Sequence, residues 1–153
     1  MVDPALYALG IDVGSTTVKI VAVDRDGEIV LRQIEPTEPL IEEQIEVLLG
    51  KDNLFGSDSH TLPLVATGYG RKLVKHADTL ITEIKCHARG VFQLFGHACT
   101  LIDIGGQDSK VVTIGPKGNV LNFAMNDKCA AGTGRFLENT PARLRVSVDE
   151  MGN

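Results

Sequence analysis

The stretch Ile11-Asp12-Val13-Gly14-Ser15-Thr16-Thr17-Val18-Lys19-Ile20-Val21 recurs 91 residues later as Ile102-Asp103-Ile104-Gly105-Gly106-Gln107-Asp108-Ser109-Lys110-Val111-Val112. The alignment continues without a gap to Val30 and Leu121, and six of its twenty positions are identical, where average residue usage would give about one. Each copy places apolar, β-branched runs on both sides of a polar turn, a pattern that predicts a β-hairpin. The chain is therefore predicted to contain the same supersecondary unit twice.

The composition is that of an ordinary globular protein, since 43% of the 153 residues are apolar and 23% are charged. It excludes disorder, collagen-like repeats and disulfide-rich mini-proteins. The net charge of −5 is spread along the chain without a basic stripe, so neither nucleic acid nor a membrane surface is an expected partner. No apolar run reaches the ~18–20 residues of a membrane helix, and no signal peptide is recognisable. Three irregularly spaced cysteines favour a reducing, cytoplasmic location.

The predicted elements alternate between strands and helices. Strands are expected at residues 6–11, 18–23, 28–34, 62–67, 100–103, 110–114 and 120–123, and helices at 39–49, at 82–95 and from about Gly134. This order predicts an α/β fold with a complete first lobe at residues 1–98 and an incomplete second lobe at residues 99–153. The chain is expected to end before the second lobe is complete.

The two repeated turns combine a carboxylate with glycine, hydroxyl and amide groups. Asp12 and Asp103 offer hard oxygen ligands, which suit a Mg²⁺ ion that keeps several of its waters. Glycine lets the main chain approach a ligand closely, and successive N–H groups form an anion-binding nest. The residues predicted to contact phosphate are Gly14, Ser15, Thr16 and Thr17 in the first turn and Gly105, Gly106 and Gln107 in the second. Two such turns facing each other would hold a polyphosphate, although aspartate and glycine are also what ordinary turns contain.

Each copy also carries a lysine on its second strand, Lys19 and Lys110. Two interpretations stay open for this pair. The lysines are either exposed strand residues or phosphate contacts, and Lys19 is kept as a candidate cofactor-binding residue.

Three further stretches, together with the repeats, resemble a known family. They are Thr67-Gly68-Tyr69-Gly70-Arg71, Ile81-Thr82-Glu83-Ile84-Lys85-Cys86-His87-Ala88-Arg89-Gly90 and Asn126-Asp127-Lys128-Cys129-Ala130-Ala131-Gly132-Thr133-Gly134-Arg135-Phe136-Leu137-Glu138. The chain resembles the ATPase activators of 2-hydroxyacyl-CoA dehydratases and benzoyl-CoA reductases, a branch of the actin, sugar-kinase and heat-shock ATPase superfamily. The resemblance implies an RNase H-like, actin-type ATPase fold. It also implies a homodimer with a [4Fe–4S] cluster at the subunit interface, which receives electrons from a donor such as ferredoxin or flavodoxin. ATP hydrolysis would then drive a low-potential electron to an acyl-CoA dehydratase or reductase.

The resemblance assigns roles to residues of the repeats and of the last motif. It implies that both turns contact the phosphates of ATP or ADP and that Asp12 and Asp103 serve Mg²⁺. Gln107 stands where a more basic group would activate a nucleophile, and a glutamine orients water, which fits slow hydrolysis. Gly132, Thr133 and Gly134 are further candidates for nucleotide contacts, and Cys129 is the candidate cluster ligand.

The cysteines depart from the family pattern. A thiolate at Cys129 would be stabilised by the N-terminus of the following helix, on which Phe136 and Leu137 are expected to face inward, although a lone cysteine is also an ordinary structural residue. A four-iron cluster on a two-fold axis needs two thiolates from each subunit. The family's second ligand lies downstream of Cys129, where this sequence has no cysteine, and Cys86 and Cys99 are poor substitutes. The chain is therefore expected to end before that ligand and before the adenosine-binding half.

Two other functions stay open: a sugar or carboxylate kinase of the same superfamily, and a non-catalytic, truncated nucleotide-binding module.

Cys86 and His87 are adjacent on a predicted helix and diverge by roughly 100°, so they do not converge on one metal ion. Glu83 and His87 share a helix face, where a surface contact between them is expected. Arg71 and Arg89 either meet a partner protein or are solvated.

Overall fold

The computed structural model describes residues 6–50, 62–127 and 132–152. Their strands are β1 (Ala8–Val13), β2 (Thr17–Val23), β3 (Ile29–Pro36), β4 (Leu64–Thr67), β5 (Thr79–Leu80), β6 (Cys99–Ile104), β7 (Ser109–Ile114) and β8 (Val120–Asn126). The helices are α1 (Ile41–Gly50), α2 (Glu83–Phe95) and α3 (Gly134–Leu144), with short 3-10 helices at Arg71–Leu73 and Asp149–Gly152. No helix in these ranges is long and apolar enough to cross a bilayer.

The strands form two sheets. The first has the order β3-β2-β1-β4-β5, in which β4 runs parallel to both of its neighbours and the other pairs are antiparallel. The second is the antiparallel sheet β6-β7-β8. Packing divides the chain into two compact units, Met1–Glu83 and Ile84–Asn153, so that α2 lies almost wholly in the second unit. The lobe boundary after residue 98, which assigns α2 to the first lobe, stays a prediction.

The core of the first unit lies between one face of its sheet and α1. Alternate residues of β1, β2 and β4 point to this face, because successive side chains of a strand point to opposite faces. The buried residues are Leu9, Ile11, Val13, Val18, Ile20, Ala22, Leu64 and Ala66 from the strands and Ile45, Leu48 and Leu49 from α1. Asp12 is out of phase with this set and therefore lies on the opposite face of the sheet.

The smaller core of the second unit lies between α2 and one face of the second sheet. Ala88, Val112 and Ile114 are buried there. The other face of this sheet carries Ile102 and Ile104, which are exposed. The expectation that Phe136 and Leu137 of α3 face inward is wrong for this chain, because both side chains are about half exposed.

The structure confirms the internal repeat beyond its hairpins. β1 pairs with β2 in the same register as β6 with β7, so Asp12 faces Lys19 and Asp103 faces Lys110. A register shift interrupts the second pairing of each unit at the same repeat position, between Ala22 and Val23 and between Thr113 and Ile114. Gly27 and Gly118 also correspond, and they adopt positive φ angles of 84° and 73° in the distal turns.

The structure differs from the predicted elements at a few points. β1 continues to Val13, so Asp12 lies within the strand and not in the turn that follows it. β3 likewise runs on to Pro36. The two-residue strand β5 and the 3-10 helix Arg71–Leu73 were not predicted, since such short elements carry little local sequence pattern.

Candidate functional site

The first repeated turn is closed by its own backbone and leaves its tip free. The Gly14 amide donates to the Thr17 carbonyl at 3.0 Å. Thr37 braces the turn, since its hydroxyl donates to the Gly14 carbonyl at 2.9 Å and its amide to the Thr16 carbonyl at 2.9 Å. Ser15 and Thr16 are exposed at the tip, and their amides donate to no other residue in the ranges that the structure describes. The tip therefore presents two free amides and two hydroxyls, which together can bind an anion.

The second turn repeats this closure, since the Gly105 amide donates to the Asp108 carbonyl at 2.9 Å. Gln107 is exposed at the tip and Gly106 is half-buried. Their amides donate to no other described residue. The equivalent positions in the two repeats thus carry equivalent free donors, while the hydroxyls of the first turn are replaced by one glutamine side chain.

The first turn of α3 is attached to the second repeated turn. The Gly134 amide donates to the Gly105 carbonyl at 2.8 Å, and the Arg135 amide donates to the Gly106 carbonyl at 3.2 Å. Gly132, at φ +87°, accepts a hydrogen bond from the Ser109 hydroxyl. The structure therefore brings the predicted residues Gly132 and Gly134 together with the turn. The Gly134 amide, which was predicted to reach a ligand, instead donates to the turn itself. Thr133 beside it is fully buried.

Asp12 is held by a lysine from the neighbouring strand. Lys19 Nζ lies 3.0 Å from Asp12 Oδ2, and the side chains are 43% and 24% exposed. Because the two residues face each other in the antiparallel register, their side chains lie on one face of the sheet. Lys19 thus neutralises the carboxylate and stays partly accessible at the edge of the turn.

The turn after β4 packs against the end of β1. Gly68 has a φ of +86°, and a β-carbon there would lie 2.3 Å from Asp12 Oδ1. A β-carbon at Gly70 would lie 2.5 Å from Val13 Cγ1. Arg71 braces the same turn, because its Nη1 donates to the Gly68 carbonyl at 2.8 Å. Glycine is required here by close approach, and the turn limits where the Asp12 carboxylate can lie.

Asp103 is held by a different set of donors. His87 Nδ1 lies 3.0 Å from Asp103 Oδ2. The lysine of this repeat, Lys110, is only 5% exposed; its Nζ lies 3.7 Å from Asp103 Oδ2 and 2.7 Å from Asp108 Oδ1. Lys110 is therefore not an exposed strand residue, and both of its ion pairs are to aspartates of its own unit.

Other charged residues make local contacts. The expected contact between Glu83 and His87 is not formed, since Glu83 Oε2 lies 3.5 Å from Arg71 Nη1 and His87 contacts Asp103. Arg71 is thus partnered within its own unit. The guanidinium of Arg89 donates to the Lys117 carbonyl at 3.5 Å on the surface.

The side chains fit a magnesium ion held mainly through water and phosphate. Among the described residues, no group of three or more His, Cys, Asp or Glu side chains is placed to share a metal ion. Mg²⁺ does not need such a group, because it is commonly bound by one or two carboxylates together with phosphates and retained waters. One oxygen each of Asp12 and Asp103 is held by a protein donor, and the other accepts no hydrogen bond from a described residue.

The three cysteines of the chain were considered as ligands of the predicted iron–sulfur cluster. Cys129 lies outside the described residues. Cys86 and Cys99 are free, half-buried thiols. The described part of the chain therefore offers no iron–sulfur site.

Sequence reasoning missed His87, Asp108 and Gly68 as parts of these sites. His87 interrupts the apolar sheet-facing stripe of α2, which is a usable signal for a functional polar residue. Asp108 stands two residues before a lysine, and the sequence alone does not show that the lysine is buried. Gly68 lies in the quoted Thr67–Arg71 motif, where only the packing against β1 reveals its role.

The chain is similar to activators of acyl-CoA dehydratases and covers little more than half of their length. The 2-hydroxyisocaproyl-CoA dehydratase activator of Clostridioides difficile is 42% identical over 153 residues, which are 97% of this chain and 56% of that protein. The activator of lactoyl-CoA dehydratase of Anaerotignum propionicum is 43% identical over 154 residues, covering 95% and 57% of the two chains.

A solved structure has the same fold. The activator of the 2-hydroxyisocaproyl-CoA dehydratase from Clostridium difficile, solved with bound ADPNP, superposes with a TM-score of 0.79 at 42% identity. The match covers 96% of this chain and 55% of that one, and it confirms the predicted actin-type ATPase fold. Residues 9–153 also match the family model. With its repeated turns, its fold and these relatives, the chain belongs to the BadF/BadG/BcrA/BcrD ATPase family.

Proposed function

We propose that the chain binds and hydrolyses MgATP within an activator that drives electron transfer to a 2-hydroxyacyl-CoA dehydratase or a benzoyl-CoA reductase. The observation that carries the proposal is the duplicated turn. Each copy has two free tip amides beside a carboxylate whose position is held by a protein donor. Family membership and an ADPNP-bound relative support ATP as the ligand.

The phosphates would be bound by main-chain donors of both turns. The amides at Ser15 and Thr16 and at Gly106 and Gln107 point to anion binding, because successive N–H groups concentrate positive potential. The hydroxyls of Ser15 and Thr16 can add donors to phosphate oxygens. The partly exposed Lys19 adds positive charge next to the first turn.

Asp12 and Asp103 would hold Mg²⁺ through its waters. When bound, the ion would supply charge neutralisation for the phosphate oxygens. Gln107 is exposed and accepts or donates without ionising, so it can orient an attacking water but cannot remove its proton at neutral pH. This chemistry suits slow hydrolysis better than rapid phosphoryl transfer to a sugar.

The remaining parts of the proposal follow from the family. They are a cytoplasmic homodimer, a [4Fe–4S] cluster that includes Cys129, and an electron donor such as ferredoxin or flavodoxin.

The role of Gln107 is tested by ATP turnover. We expect Gln107→Ala to lower the rate of phosphate release by about 10–100-fold, because a poorly oriented water attacks the phosphate less efficiently. Gln93→Ala is the matched control, since Gln93 is an exposed glutamine of the same unit on α2. Undiminished turnover in Gln107→Ala would refute the assigned role, and robust phosphorylation of a sugar would replace the activator function with a kinase.

The cluster is tested by anaerobic iron and sulfide analysis with a visible spectrum. The measurement is made on this chain and on a longer version that carries the downstream half found in the relatives. A brown longer protein that loses its colour on Cys129→Ser is the expected result. A colourless longer protein would contradict the electron-transfer role.

A further inference from the structure

One polar residue lies in the apolar stripe by which α2 packs on the second sheet. The apolar members of the stripe are Ile84, Ala88, Val91 and Phe92. His87 lies three residues after Ile84 and four before Val91, so it shares their face of the helix. Its ring reaches the end of β6, where Nδ1 lies 3.0 Å from Asp103 Oδ2. The contact joins residues of two elements and is not a local helix interaction.

The two repeats differ in the donor that holds the strand aspartate. In the first unit the lysine does so directly, with Lys19 Nζ 3.0 Å from Asp12 Oδ2. In the second unit the equivalent lysine, Lys110, contacts Asp108 at 2.7 Å and lies 3.7 Å from Asp103 Oδ2. The close lysine contact of the first unit is thus absent in the second.

One of the differences between the repeats favours this change. Asp108 occupies the repeat position of Thr17, so the second turn carries a carboxylate that the first one lacks. The additional carboxylate attracts the buried lysine, because an ammonium group with little access to water gains most from its shortest ion pair. His87 then supplies the short hydrogen bond to Asp103 that the lysine no longer makes.

We propose that His87 is a positioning residue for Asp103, an inference that rests on the proposed MgATP site. The Nδ1–H group of His87 donates to Oδ2 and fixes the plane of the carboxylate. Oδ1 accepts no hydrogen bond from a described residue, so it would be free to accept one from a water of a bound magnesium ion. Hydrogen bonds that orient a ligand in this way typically contribute about 10–100-fold to metal affinity.

Substitutions of His87 separate this role from packing. The side-chain nitrogen of asparagine takes nearly the place of Nδ1, whereas that of glutamine takes nearly the place of Nε2. His87→Asn therefore keeps a donor for Asp103, and His87→Gln and His87→Ala remove it. His97→Ala is the matched control, because His97 is an exposed histidine of the same unit whose Nδ1 lies 3.0 Å from the Ala98 carbonyl.

The experiment is a calorimetric titration of ADP into the full chain, once with Mg²⁺ and once with EDTA, after circular dichroism has shown that each variant is folded. We expect His87→Gln and His87→Ala to weaken the binding of MgADP about tenfold, at the low end of the range for orienting contacts because the ion is reached through water. His87→Asn and His97→Ala should stay within about threefold of the wild type, and ADP affinity in EDTA should be the same in all variants.

Failure of the proposed MgATP site and failure of the positioning role of His87 give different results. If the wild-type chain shows no ADP binding that Mg²⁺ strengthens, the proposed function fails, and the inference fails with it. If the wild type binds MgADP and His87→Gln binds it equally well, the inference alone is overturned. Equal losses with Mg²⁺ and with EDTA, or a loss in His87→Asn as large as that in His87→Gln, also overturn it, since they indicate a packing role.

Discussion

Replacing Gly68 by alanine tests whether the turn after β4 limits the position of Asp12. The φ of Gly68 is +86°, and a β-carbon there would lie 2.3 Å from Asp12 Oδ1 and 2.6 Å from the Val13 carbonyl oxygen. Gly27 is the matched control, because its φ is +84° and a β-carbon there would meet nothing within 4 Å. Both substitutions carry the same backbone cost of about 1–2 kcal/mol for alanine in the left-handed region.

The difference between the two variants isolates the steric clash. Overpacking a well-filled site typically costs about 1–3 kcal/mol, so Gly68→Ala should lower the free energy of unfolding by about that much more than Gly27→Ala. Relief of the clash requires the Asp12 carboxylate to move, so Gly68→Ala should also weaken MgADP binding, while Gly27→Ala should not.

Urea unfolding measures the first effect and calorimetry the second. Tyr7 and Tyr69 are the two tyrosines of the sequence, which has no tryptophan, and both lie in the first unit. Tyrosine fluorescence therefore reports on that unit, and circular dichroism reports on both. Equal destabilisation by the two alanines, with unchanged MgADP affinity in Gly68→Ala, would refute the assigned role of the turn.

Two further predictions follow from the charged contacts. Lys110→Met should lower the free energy of unfolding by about 3 kcal/mol, because it leaves two aspartates without their buried partner. Lys19 is more exposed, so Lys19→Met should lower it by about 1 kcal/mol or less. Equal losses of stability in chemical denaturation would contradict this difference. Hydrogen bonds from the amide and hydroxyl of Ser147 lower the pKa of Glu150 below 4.5. The stabilisation of this turn is thus present above pH 4.5 and lost as the pH falls through the lowered pKa. Ser147→Ala removes the hydroxyl and keeps the amide, so it should return the NMR-measured pKa of Glu150 only part of the way to its ordinary value.

The repeat made the hairpins of the fold predictable, because strand alternation and turn glycines are local features. Gly27 and Gly118, for example, stand in the predicted distal turns and adopt the positive φ angles that glycine permits. The strand β5 was not predictable in this way, since two residues in parallel pairing depend on the neighbouring strand rather than on their own pattern. The inward orientation expected for Phe136 failed because an amphipathic pattern shows which face is apolar, not what covers it.

The candidate site was predictable in its main chain and less so in its side chains. The aspartates and the free tip residues Ser15 and Gln107 follow from the motif itself. The donors that hold the aspartates do not, because His87 meets Asp103 only after α2 has packed on the second sheet. The choice of Lys110 between two carboxylates likewise depends on distances that no spacing rule contains.

Two hydrogen bonds couple the start of α3 to the second repeated turn. The amides of Gly134 and Arg135 donate to the carbonyls of Gly105 and Gly106. The turn cannot shift without either breaking both bonds or carrying the helix with it. A displacement of the turn would therefore be transmitted directly to the start of α3. Any ligand that shifts this turn would therefore shift the first turn of α3 in the same motion.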